Sequence, residues 1–385
     1  MRRPRLSWSA ALALLALGWL FARTPRVVGR PRTVPSGQAA PGSSKARTEK
    51  TAQAPSSAAA HERTESEAGA GDAFTSAASC AALVGAGQRL ARAPETARFA
   101  SWNLHWFPDG EPGHREAGAE VSWVACALGW LDADVIAVQE VKQSPSAEQA
   151  LAALLTELNR LTKARYVARL DDCGSRVSQH VGLIWNETRV RASELETVAA
   201  LNPHGTACEN QLRPGLAARF KLPGGLDVTT VSAHFKSMAD RHGFTLRGRS
   251  FAAIPDVLRE VTAKAHDADF LLLGDLNTMG CEQCSPVVSA ADEVRAVDRQ
   301  LTAAGLRLVT ADAAGTELYE GRSTLLDHAV VSAAMRELSA GSQSHVVGAC
   351  AAGARALTHR AAKQVKRALS DHCPIVLDLT DRDLD

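Results

Sequence analysis

The sequence lacks a strong net charge, an internal repeat and a large supply of aromatic side chains. Its 43 Lys and Arg residues and 42 Asp and Glu residues leave a formal net charge of +1 over 385 residues. A nucleic-acid partner therefore cannot be argued from bulk charge and would need local basic patches. Aromatic residues make up 5% of the chain, so few are available for loops that insert into a membrane surface.

A zinc-binding pattern of cysteine and histidine is also missing. Cys281-Glu-Gln-Cys284 has no second Cys-x-x-Cys pair and no neighbouring pair of histidines, so we interpret it as a short loop closed by a disulfide. Cys126 lies inside an apolar helical stretch, and we predict that it is simply buried. The pairing of the cysteines cannot be deduced from the sequence. The chain contains eight of them: Cys80, Cys126, Cys173, Cys208, Cys281, Cys284, Cys350 and Cys373.

The chain begins with a basic segment followed by an apolar one. Three arginines stand within the first five residues, and residues 6–22 are apolar apart from two serines and one glycine. This pattern is typical of a signal peptide, and its length is at the short limit of the roughly 17–25 residues that span a membrane. We predict that residues 1–26 are a signal peptide or a membrane anchor, with or without cleavage. The protein would then be exported, as a periplasmic, extracellular or membrane-anchored protein that is tethered through residues 6–22.

Residues 27–95 are rich in Ala, Ser, Pro and Thr and contain almost no large apolar residue. Such a composition cannot bury enough apolar surface to offset the entropy cost of ordering. We predict a flexible linker, with a short helix at residues 79–90, followed by one folded domain at residues 96–385. That domain carries 30 Lys and Arg residues against 36 Asp and Glu residues. We expect a monomer, and the sequence points to no protein partner.

Short apolar runs alternate with helical patterns through the domain. This order predicts an α/β fold in which two packed sheets are flanked by helices. The predicted strands span residues 99–103, 135–140, 166–170, 181–185, 216–222, 228–234, 270–274, 329–332 and 375–379. The predicted helices span residues 113–131, 146–161, 251–266 and 293–304.

Several predicted strands end in Asn, Asp, Glu or His. Glu140 closes an apolar strand, where a carboxylate is costly unless it is paired or bound to a metal. Because Mg²⁺ takes one or two protein carboxylates and keeps several waters, Glu140 with help from Asn103 or Asp371 would suffice. The alternative for Glu140 is a salt bridge to Lys142. The sequence therefore predicts a site for Mg²⁺ or Mn²⁺, with Ca²⁺ as a further option.

Asp275 and Asn277 follow the apolar strand at residues 270–274. A period of two places both side chains on the same side of the chain. Asp275 could orient or deprotonate a water, and the Asn277 amide could donate to a phosphoryl oxygen without adding repulsive charge. The alternative is a helix cap or an Asx turn at Asp275.

Two histidines stand at strand ends. His372 precedes the apolar run at residues 375–377 and could act as a base or as a phosphate-binding imidazolium. It needs an orienting carboxylate, for which Asp327 at the head of another strand is the best candidate. His234 ends a further apolar run and is either catalytic or a structural histidine.

Taken in order, these segments resemble the motif series of the endonuclease/exonuclease/phosphatase superfamily, and most closely its deoxyribonuclease I-like members. The resemblance covers about residues 96–381. Six segments carry it: Phe99-Ala-Ser-Trp-Asn-Leu104, Asp134-Val-Ile-Ala-Val-Gln-Glu140, Ser232-Ala-His-Phe-Lys-Ser237, Gly274-Asp-Leu-Asn277, Leu326-Asp-His-Ala-Val-Val331 and Ser370-Asp-His-Cys-Pro374.

The resemblance implies a four-layer α/β sandwich, built from two packed mixed β-sheets flanked by helices. It also implies divalent-metal hydrolysis of phosphodiesters or phosphomonoesters by residues 96–385. Glu140 would be the chief metal ligand, with Asn103 beside it and Asp371 completing the metal side.

The implied catalytic residues are His234, Asp275, Asn277, Asp327 and His372. The two histidines would act on the phosphate and on its nucleophile or leaving group. Asp275 and Asn277 would position water and phosphate, and Asp327 would orient His372.

The sequence departs from the family pattern at two places. His328 stands where a tyrosine is common. Residues 171–179 offer no clear glutamate as a partner for His234, which leaves Gln179 as a weak candidate.

Two basic clusters favour nucleic acid as the substrate, because such clusters can follow a phosphate backbone even on a net-acidic domain. The second cluster could equally be a solvated helix face. The first cluster lies after His234 and supplies the predicted substrate-binding residues Lys236, Arg241, Arg247 and Arg249. The second consists of His359, Arg360, Lys363, Lys366 and Arg367.

We therefore predict a non-sequence-specific endonuclease that hydrolyses nucleic-acid phosphodiesters. The alternative is a phosphatase or a phospholipase C-like phosphodiesterase acting on inositol phosphates or sphingolipids. The aromatic-rich signatures of the inositol-phosphate phosphatases and the membrane-inserting aromatic loops of the sphingomyelinase-like members do not stand out in the sequence. A catalytically inactive scaffold is a third, separate class.

Overall fold

The computed structural model describes residues 72–113, 118–206, 208–209, 211–318, 324–339, 341–351 and 357–385. The predicted signal peptide or anchor at residues 1–26, and residues 27–71 of the predicted linker, lie outside the described residues. Within the described ranges, no helix is both long enough and apolar enough to cross a membrane.

In the described part of the chain, twelve strands form two sheets of six. From edge to edge, the first sheet contains β11 (His345–Val346), β12 (Ile375–Thr380), β1 (Thr96–Phe107), β2 (Val135–Val141), β4 (His180–Asn186) and β3 (Tyr166–Leu170). The second contains β5 (Arg191–Val198), β6 (Gly215–Lys221), β7 (Asp227–His234), β8 (Phe270–Asp275), β10 (Asp327–Ser332) and β9 (Leu306–Val309).

Both sheets are mixed in the same way. Each has a parallel pair at its centre, β1 with β2 in the first sheet and β7 with β8 in the second. The strands that flank these pairs run antiparallel to them, including β12 beside β1 and β10 beside β8. All six residues of β8 are buried, as expected for a central strand covered on both faces.

The core between the sheets is built from alternate residues of the strands. Phe99 and Leu377 of the first sheet pack in one cluster with Phe220 and Leu273 of the second. Trp102 belongs instead to the cluster on the outer face of the first sheet, because side chains alternate between the two faces of a strand.

Helices cover both outer faces. The first sheet is covered by α1 (Ala77–Gly85), α2 (Val121–Leu131) and α3 (Pro145–Thr162), and Val365 of α6 (His359–Ala368) joins the same cluster. The second sheet is covered by α4 (Arg241–Ala265) and α5 (Ala290–Ala303). The layers are thus helix, sheet, sheet and helix, and the predicted four-layer α/β sandwich is confirmed.

Several predicted boundaries are wrong. Helix α2 begins at Val121 and not at residue 113, and α4 begins at Arg241, ten residues before the predicted start. Asp240 caps α4 by accepting a hydrogen bond from the Gly243 amide at 2.6 Å. The first turns of α4 are rich in Arg and Gly, which hid their helical period. Strands β5, β9 and β11 were not predicted.

The linker was predicted to extend to residue 95, but residues before that position are already folded. Phe74 is buried and packs edge-to-face against Trp102 and Trp130 at ring-centroid distances of 5.8 Å. A disulfide joins Cys80 of α1 to Cys126 of α2. Residues from 72 onward therefore belong to the folded domain, and the prediction that Cys126 is merely buried is wrong.

All eight cysteines are paired. The predicted loop closure between Cys281 and Cys284 is confirmed. The remaining disulfides are Cys80–Cys126, Cys173–Cys208 and Cys350–Cys373. The last of these holds the residue that follows His372, so it anchors one side of the polar edge described next.

Candidate active site

Polar side chains from both sheets converge at one edge of the sandwich. The parallel strands β1, β2, β7 and β8 end at this edge, and the antiparallel strands β10 and β12 begin there. His234 pairs with Asp275 in register, and Asp275 pairs with Asp327. The fold therefore brings together residues that are far apart in the chain: Asn103, Glu140, His234, Asp275, Asn277, Asp327, Asp371 and His372.

Glu140 is the centre of a hydrogen-bonded carboxylate network. The Asn103 amide donates to Glu140 Oε1 at 3.1 Å and to Asp275 Oδ2 at 3.0 Å. The Trp106 backbone N–H donates to Glu140 Oε2 at 3.1 Å. Lys142 instead contacts Asp109 at 2.6 Å, so the alternative of a Glu140–Lys142 salt bridge is wrong. Glu140 also has φ of 58°, an uncommon backbone state that is often found at functional sites.

Glu140, His234 and Asp275 form a group suited to a divalent cation. One ligand atom from each lies within 4.8 Å of the others. Burial raises the pKa of Asp275 to about 8, with further repulsion from Asp327 and Glu140. Burial also raises the pKa of Glu140, and Asp371 adds to that effect. Carboxylates that repel one another in a buried site are stabilised by a cation among them, so these residues fit a bound divalent cation.

The two histidines of the site have opposite charge states. Burial, with repulsion from Arg213 and His372, holds the pKa of His234 well below its usual value. Burial alone would also lower the pKa of His372, but the carboxylates of Asp327 and Asp275 outweigh it and hold that pKa well above its usual value. At neutral pH, His234 is neutral and His372 is protonated.

Asp327 orients His372 as predicted from the sequence. Its Oδ2 lies 2.8 Å from His372 Nδ1, and Asp327 is fully buried. Ser370 fixes the segment by donating to the Asn103 carbonyl at 2.7 Å and accepting from the His372 amide at 3.0 Å. His372 Nε2 is then directed to the site and lies 3.8 Å from Asp275 Oδ2.

Asp371 lies beside the carboxylate group and is engaged by cations. His105 Nδ1 is 2.9 Å from its Oδ1, and Lys366 Nζ is 3.3 Å from its Oδ2. Burial alone would raise the pKa of Asp371, but His105, His372 and Lys366 hold it well below the usual range. Its role as a metal ligand stays a prediction, because it is not among the three residues whose ligand atoms cluster.

Asp275 and Asn277 form an Asx turn at the end of β8. The Asn277 amide donates to Asp275 Oδ1 at 3.0 Å, and the Asn277 side chain donates to the Phe235 carbonyl at 3.3 Å. The Asx turn is therefore present, and the catalytic role of the two residues stays a prediction. A Cβ on Gly274 would lie 1.9 Å from the Ala233 carbonyl oxygen, so only glycine lets β7 and β8 approach closely enough here.

Gln179 is not the partner of His234. Among the described residues, Nδ1 of His234 is buried without a hydrogen bond. The Gln179 side chain instead accepts a hydrogen bond from Arg213 Nη1 at 3.2 Å. Arg213 also donates to the Phe235 carbonyl at 3.3 Å, and its charge acts on Glu140 and Asp275. Arg213 is thus a cation of the site that the sequence analysis missed.

His328 is a structural residue in this chain. It is fully buried, and its Nε2 lies 2.8 Å from Thr278 Oγ1. Burial lowers the pKa of His328 to about 4, so its ring is neutral. It holds the loop after Asn277 against β10.

The first basic cluster divides into surface and interior residues. Arg241 and Arg249 are exposed, and Lys236 is half-buried. Arg247 is fully buried, and its Nε and Nη2 donate to Glu293 at 2.9 and 3.0 Å. The prediction that Arg247 binds substrate is therefore wrong, because its guanidinium is occupied inside the domain.

The second basic cluster lines a groove on the surface of α6. Arg360, Lys363 and Arg367 are exposed on one face of α6 and, with Gly118 and Gln364, border a groove of about 400 Å³. Lys366 of the same helix reaches Asp371. Within the described residues, no carboxylate forms an ion pair with Arg360, Lys363 or Arg367.

Two residues of the site were not identified from the sequence. His105 follows Asn103 by two residues, and its backbone N–H donates to Asn103 Oδ1 at 3.0 Å. Its position next to the motif of Asn103 could have identified His105 as a site residue. Arg213 had no such signal, because it lies just before β6 and reaches the site only through the pairing of β6 with β7.

The chain is similar to known proteins in sequence profile and in fold. A profile described as the Endonuclease/Exonuclease/phosphatase family matches residues 100–372, whereas a comparison with curated protein sequences gave no match. Among solved structures, an endonuclease/exonuclease/phosphatase from Bacteroides vulgatus is 17% identical with a TM-score of 0.52, and the alignment covers 75% of this chain and 99% of that chain.

Two other structural neighbours differ in what their names describe. TDP2 of D. rerio, complexed with a single-strand DNA product, is 16% identical with a TM-score of 0.48, covering 74% of this chain and 98% of its own. The Bacteroides thetaiotaomicron mannosyl-6-phosphatase Bt3783 is 15% identical with a TM-score of 0.47, covering 74% and 99%. Neither similarity decides the substrate.

The profile match covers more than half of the chain. It begins within β1, the strand that carries Asn103, and ends at His372. The chain therefore belongs to the endonuclease/exonuclease/phosphatase family and is a phosphoesterase of that family.

Proposed function

We propose that this protein is a divalent-metal-dependent, non-sequence-specific endonuclease. The observation that carries the proposal is the basic groove on α6, the helix whose Lys366 contacts Asp371 of the catalytic edge. A small phosphate ester needs only the catalytic edge itself. Arg360, Lys363 and Arg367 are exposed and have no carboxylate partner among the described residues. Such cations suit a substrate that carries further phosphates, and a nucleic-acid backbone is such a substrate.

Mg²⁺ or Mn²⁺ would be held by the carboxylate oxygens of Glu140 and Asp275, to both of which the Asn103 side chain donates, and Ca²⁺ could occupy the same oxygen ligands. When bound, the cation would neutralise charge on the phosphoryl group and favour attack by water. The neutral His234 would contribute Nε2, which lies 3.5 Å from Asp275 Oδ2.

The proton chemistry would rest on this chain's own residues. His372, kept protonated by Asp327, would bind the phosphate and donate a proton to the leaving oxygen. Asp275 would orient the attacking water, and the amide of Asn277 would donate to a phosphoryl oxygen. Arg213 would add positive charge on the side of His234.

We also propose that the protein is exported. Four disulfides that pair all eight cysteines support this proposal, since disulfides persist in oxidising compartments and are rare in the cytosol. Labelling of free thiols in protein taken directly from its host tests the proposal. Eight reactive thiols would contradict it.

A side-by-side substrate panel tests the activity. Closed circular DNA, linear duplex, single-stranded DNA and RNA are compared with an inositol phosphate, sphingomyelin and bis(p-nitrophenyl) phosphate, all with Mg²⁺. We expect nicking of the closed circle, which requires an internal cut, and ~10²–10⁴-fold slower nicking by His372→Ala. If nucleic acids stay intact while the inositol phosphate or sphingomyelin turns over, the phosphatase or phospholipase C-like alternative replaces this proposal.

A further inference from the structure

A second group of carboxylates lies in the second sheet, at the end of β8 opposite to the catalytic residues. Asp267 and Asp269 precede β8, and each offers an oxygen within 4.8 Å of an oxygen of Asp385. Asp275 ends the same strand six residues after Asp269, so this group lies roughly 20 Å from the catalytic edge at about 3.3 Å per residue. It plays no part in the chemistry derived above.

Asp269 is buried, and one of its two carboxylate oxygens has no partner among the described residues. Its residue surface is 2% exposed, and its Oδ1 has no hydrogen bond among the described residues. Burial raises the pKa of Asp269 to about 8, and Glu337, Asp267 and Asp385 add to the shift. An unpaired buried carboxylate beside other carboxylates is costly unless a proton or a cation joins it.

The nearby arginine does not neutralise Asp269. Arg219 Nη2 contacts Asp227 at 2.8 Å and Asp267 at 3.8 Å. Within the described ranges, no Lys, Arg or His forms an ion pair with Asp269 or Asp385. Arg219 therefore compensates the charge of Asp267 in part, but not that of Asp269 or Asp385.

The geometry of the group is maintained by the backbone. Glu337 accepts hydrogen bonds from the amides of Arg336 and Leu384 at 2.9 and 2.8 Å, and this brings the neighbouring Asp385 to the start of β8. The Asp269 amide donates to Asp267 Oδ1 at 2.7 Å. The backbone thus holds these carboxylates close together, and Asp269 also lies against the carboxyl group of Glu337.

We propose that Asp267, Asp269 and Asp385 form a second, structural divalent-cation site of the calcium type. All three ligands are oxygens, which hard cations prefer, and Ca²⁺ accepts six to eight oxygens in flexible geometry. Glu337 and solvent can supply further oxygens. A cation here fastens the segment that follows β12 to the start of β8 and so stabilises the second sheet.

The test is thermal unfolding of the full chain, first stripped of metal and then titrated with CaCl₂. To separate this site from the catalytic one, the titration is done in Glu140→Gln. We expect Tm to rise by about 5 °C once Ca²⁺ exceeds its Kd by about 100-fold. Calorimetry of the same variant should show one bound Ca²⁺.

Asp269→Asn removes one charge and keeps the shape of the side chain. In Glu140→Gln/Asp269→Asn, we expect the calcium-dependent rise in Tm and the bound Ca²⁺ to disappear, while the metal-free Tm stays equal or increases because repulsion is relieved. Asp298→Asn, an exposed change on α5, is the matched control and should keep the full response.

Two results would overturn the proposal. One is a Tm of Glu140→Gln that does not respond to Ca²⁺. The other is a calcium response that persists unchanged after Asp269→Asn, which would place the ion elsewhere. A third measurement identifies what replaces the cation in the first case. If Ca²⁺ has no effect but acidification below pH 6 raises the metal-free Tm by about 5 °C, protons compensate these carboxylates and there is no cation site.

Discussion

Asp275 lies between two imidazoles whose pKa values are shifted in opposite directions. His234 Nε2 is 3.5 Å and His372 Nε2 is 3.8 Å from the same carboxylate oxygen. The difference in charge arises because Asp327 pairs with His372, whereas Nδ1 of His234 has no partner among the described residues. Titratable groups whose environments separate their pKa values mark the acid and the base of a site. This difference supports His372 as the proposed proton donor.

The first prediction concerns Glu140. Glu140→Gln removes a charge from the candidate metal group, so we expect the Mg²⁺ concentration for half-maximal activity to rise by at least about 10–100-fold. Excess chelator should abolish activity in the wild type. Rates of phosphodiester hydrolysis across a Mg²⁺ titration measure both effects, with Asp298→Asn as a charge-matched control. Full turnover in excess chelator would contradict the prediction.

The second prediction concerns Asp327 and His372. Each of Asp327→Asn and His372→Ala should lower kcat by ~10²–10⁴-fold, and the double variant should be little worse than His372→Ala, because the two residues act as a unit. Effects that multiply in the double variant would show that they act separately.

The same pair predicts a pH effect with a definite sign. The pKa of His372 is held above its usual value although burial opposes this. The Asp327–His372 pair therefore stabilises the fold below about pH 6.5, and this stabilisation is lost as pH rises through the folded pKa. Asp327→Asn lowers that pKa, so the alkaline fall in kcat should move to lower pH. An unchanged profile of kcat against pH would argue against His372 as the acid.

At the scale of elements, strand ends were more predictable than helix starts. β8 reads as an apolar run that ends at Asp275, and the predicted and observed strands agree within one residue. The observed β5 is mostly solvent-exposed and carries three charged residues, so its sequence has no apolar alternation to read. The start of α4 depends on the Asp240 cap and on a buried arginine, and neither gives a hydrophobic period.

The third prediction uses two neighbours on α4. Arg247→Ala leaves Glu293 buried and unpaired, and we expect a loss of about 3–5 kcal/mol in the free energy of unfolding. Arg249→Ala changes an exposed side chain and should stay within about 0.5 kcal/mol. Urea denaturation compares the two variants. If Arg247→Ala keeps its stability and loses affinity for DNA, Arg247 would be a substrate contact after all.

The site depends on the packing of the two sheets, because each sheet contributes only some of its residues. Asn103, Glu140 and His372 come from the first sheet, whereas His234, Asp275 and Asp327 come from the second. Sequence motifs identified all six, since each stands at the end or the head of an apolar run. The sequence did not show the distances between these residues, the presence of Arg213 or the pairing of Arg247 with Glu293. All three depend on packing between segments that are far apart in the chain.

The fourth prediction tests the basic groove as part of the whole surface. Neutralising Arg360, Lys363 and Arg367 should weaken binding to duplex DNA and reduce the log–log salt slope by roughly 0.9 for each phosphate contact removed. Turnover of a small phosphodiester should stay nearly unchanged, and Arg299→Gln on the opposite helical layer should change neither property. Equal losses on both substrates would mean that α6 serves the catalytic edge and not the polymer.

The fifth prediction concerns the extent of the domain. A chain that begins at Thr96 loses Phe74, which packs against Trp102 and Trp130, and also loses the disulfide of Cys80. Loss of a buried aromatic side chain costs about 3–5 kcal/mol, and loss of a disulfide about 2–4 kcal/mol. We therefore expect the chain from Thr96 to be at least about 5 kcal/mol less stable than the chain from Asp72, measured by guanidinium denaturation.

A chain that begins at Asp72 and carries Cys80→Ser and Cys126→Ser separates the two contributions. It keeps the packing of Phe74 and should fall between the other two in stability. Because the exposed tryptophans of the shortest chain change their solvent contact, its native fluorescence should shift to longer wavelength. Equal stability of all three chains would mean that residues 72–95 are only a linker, as their composition first indicated.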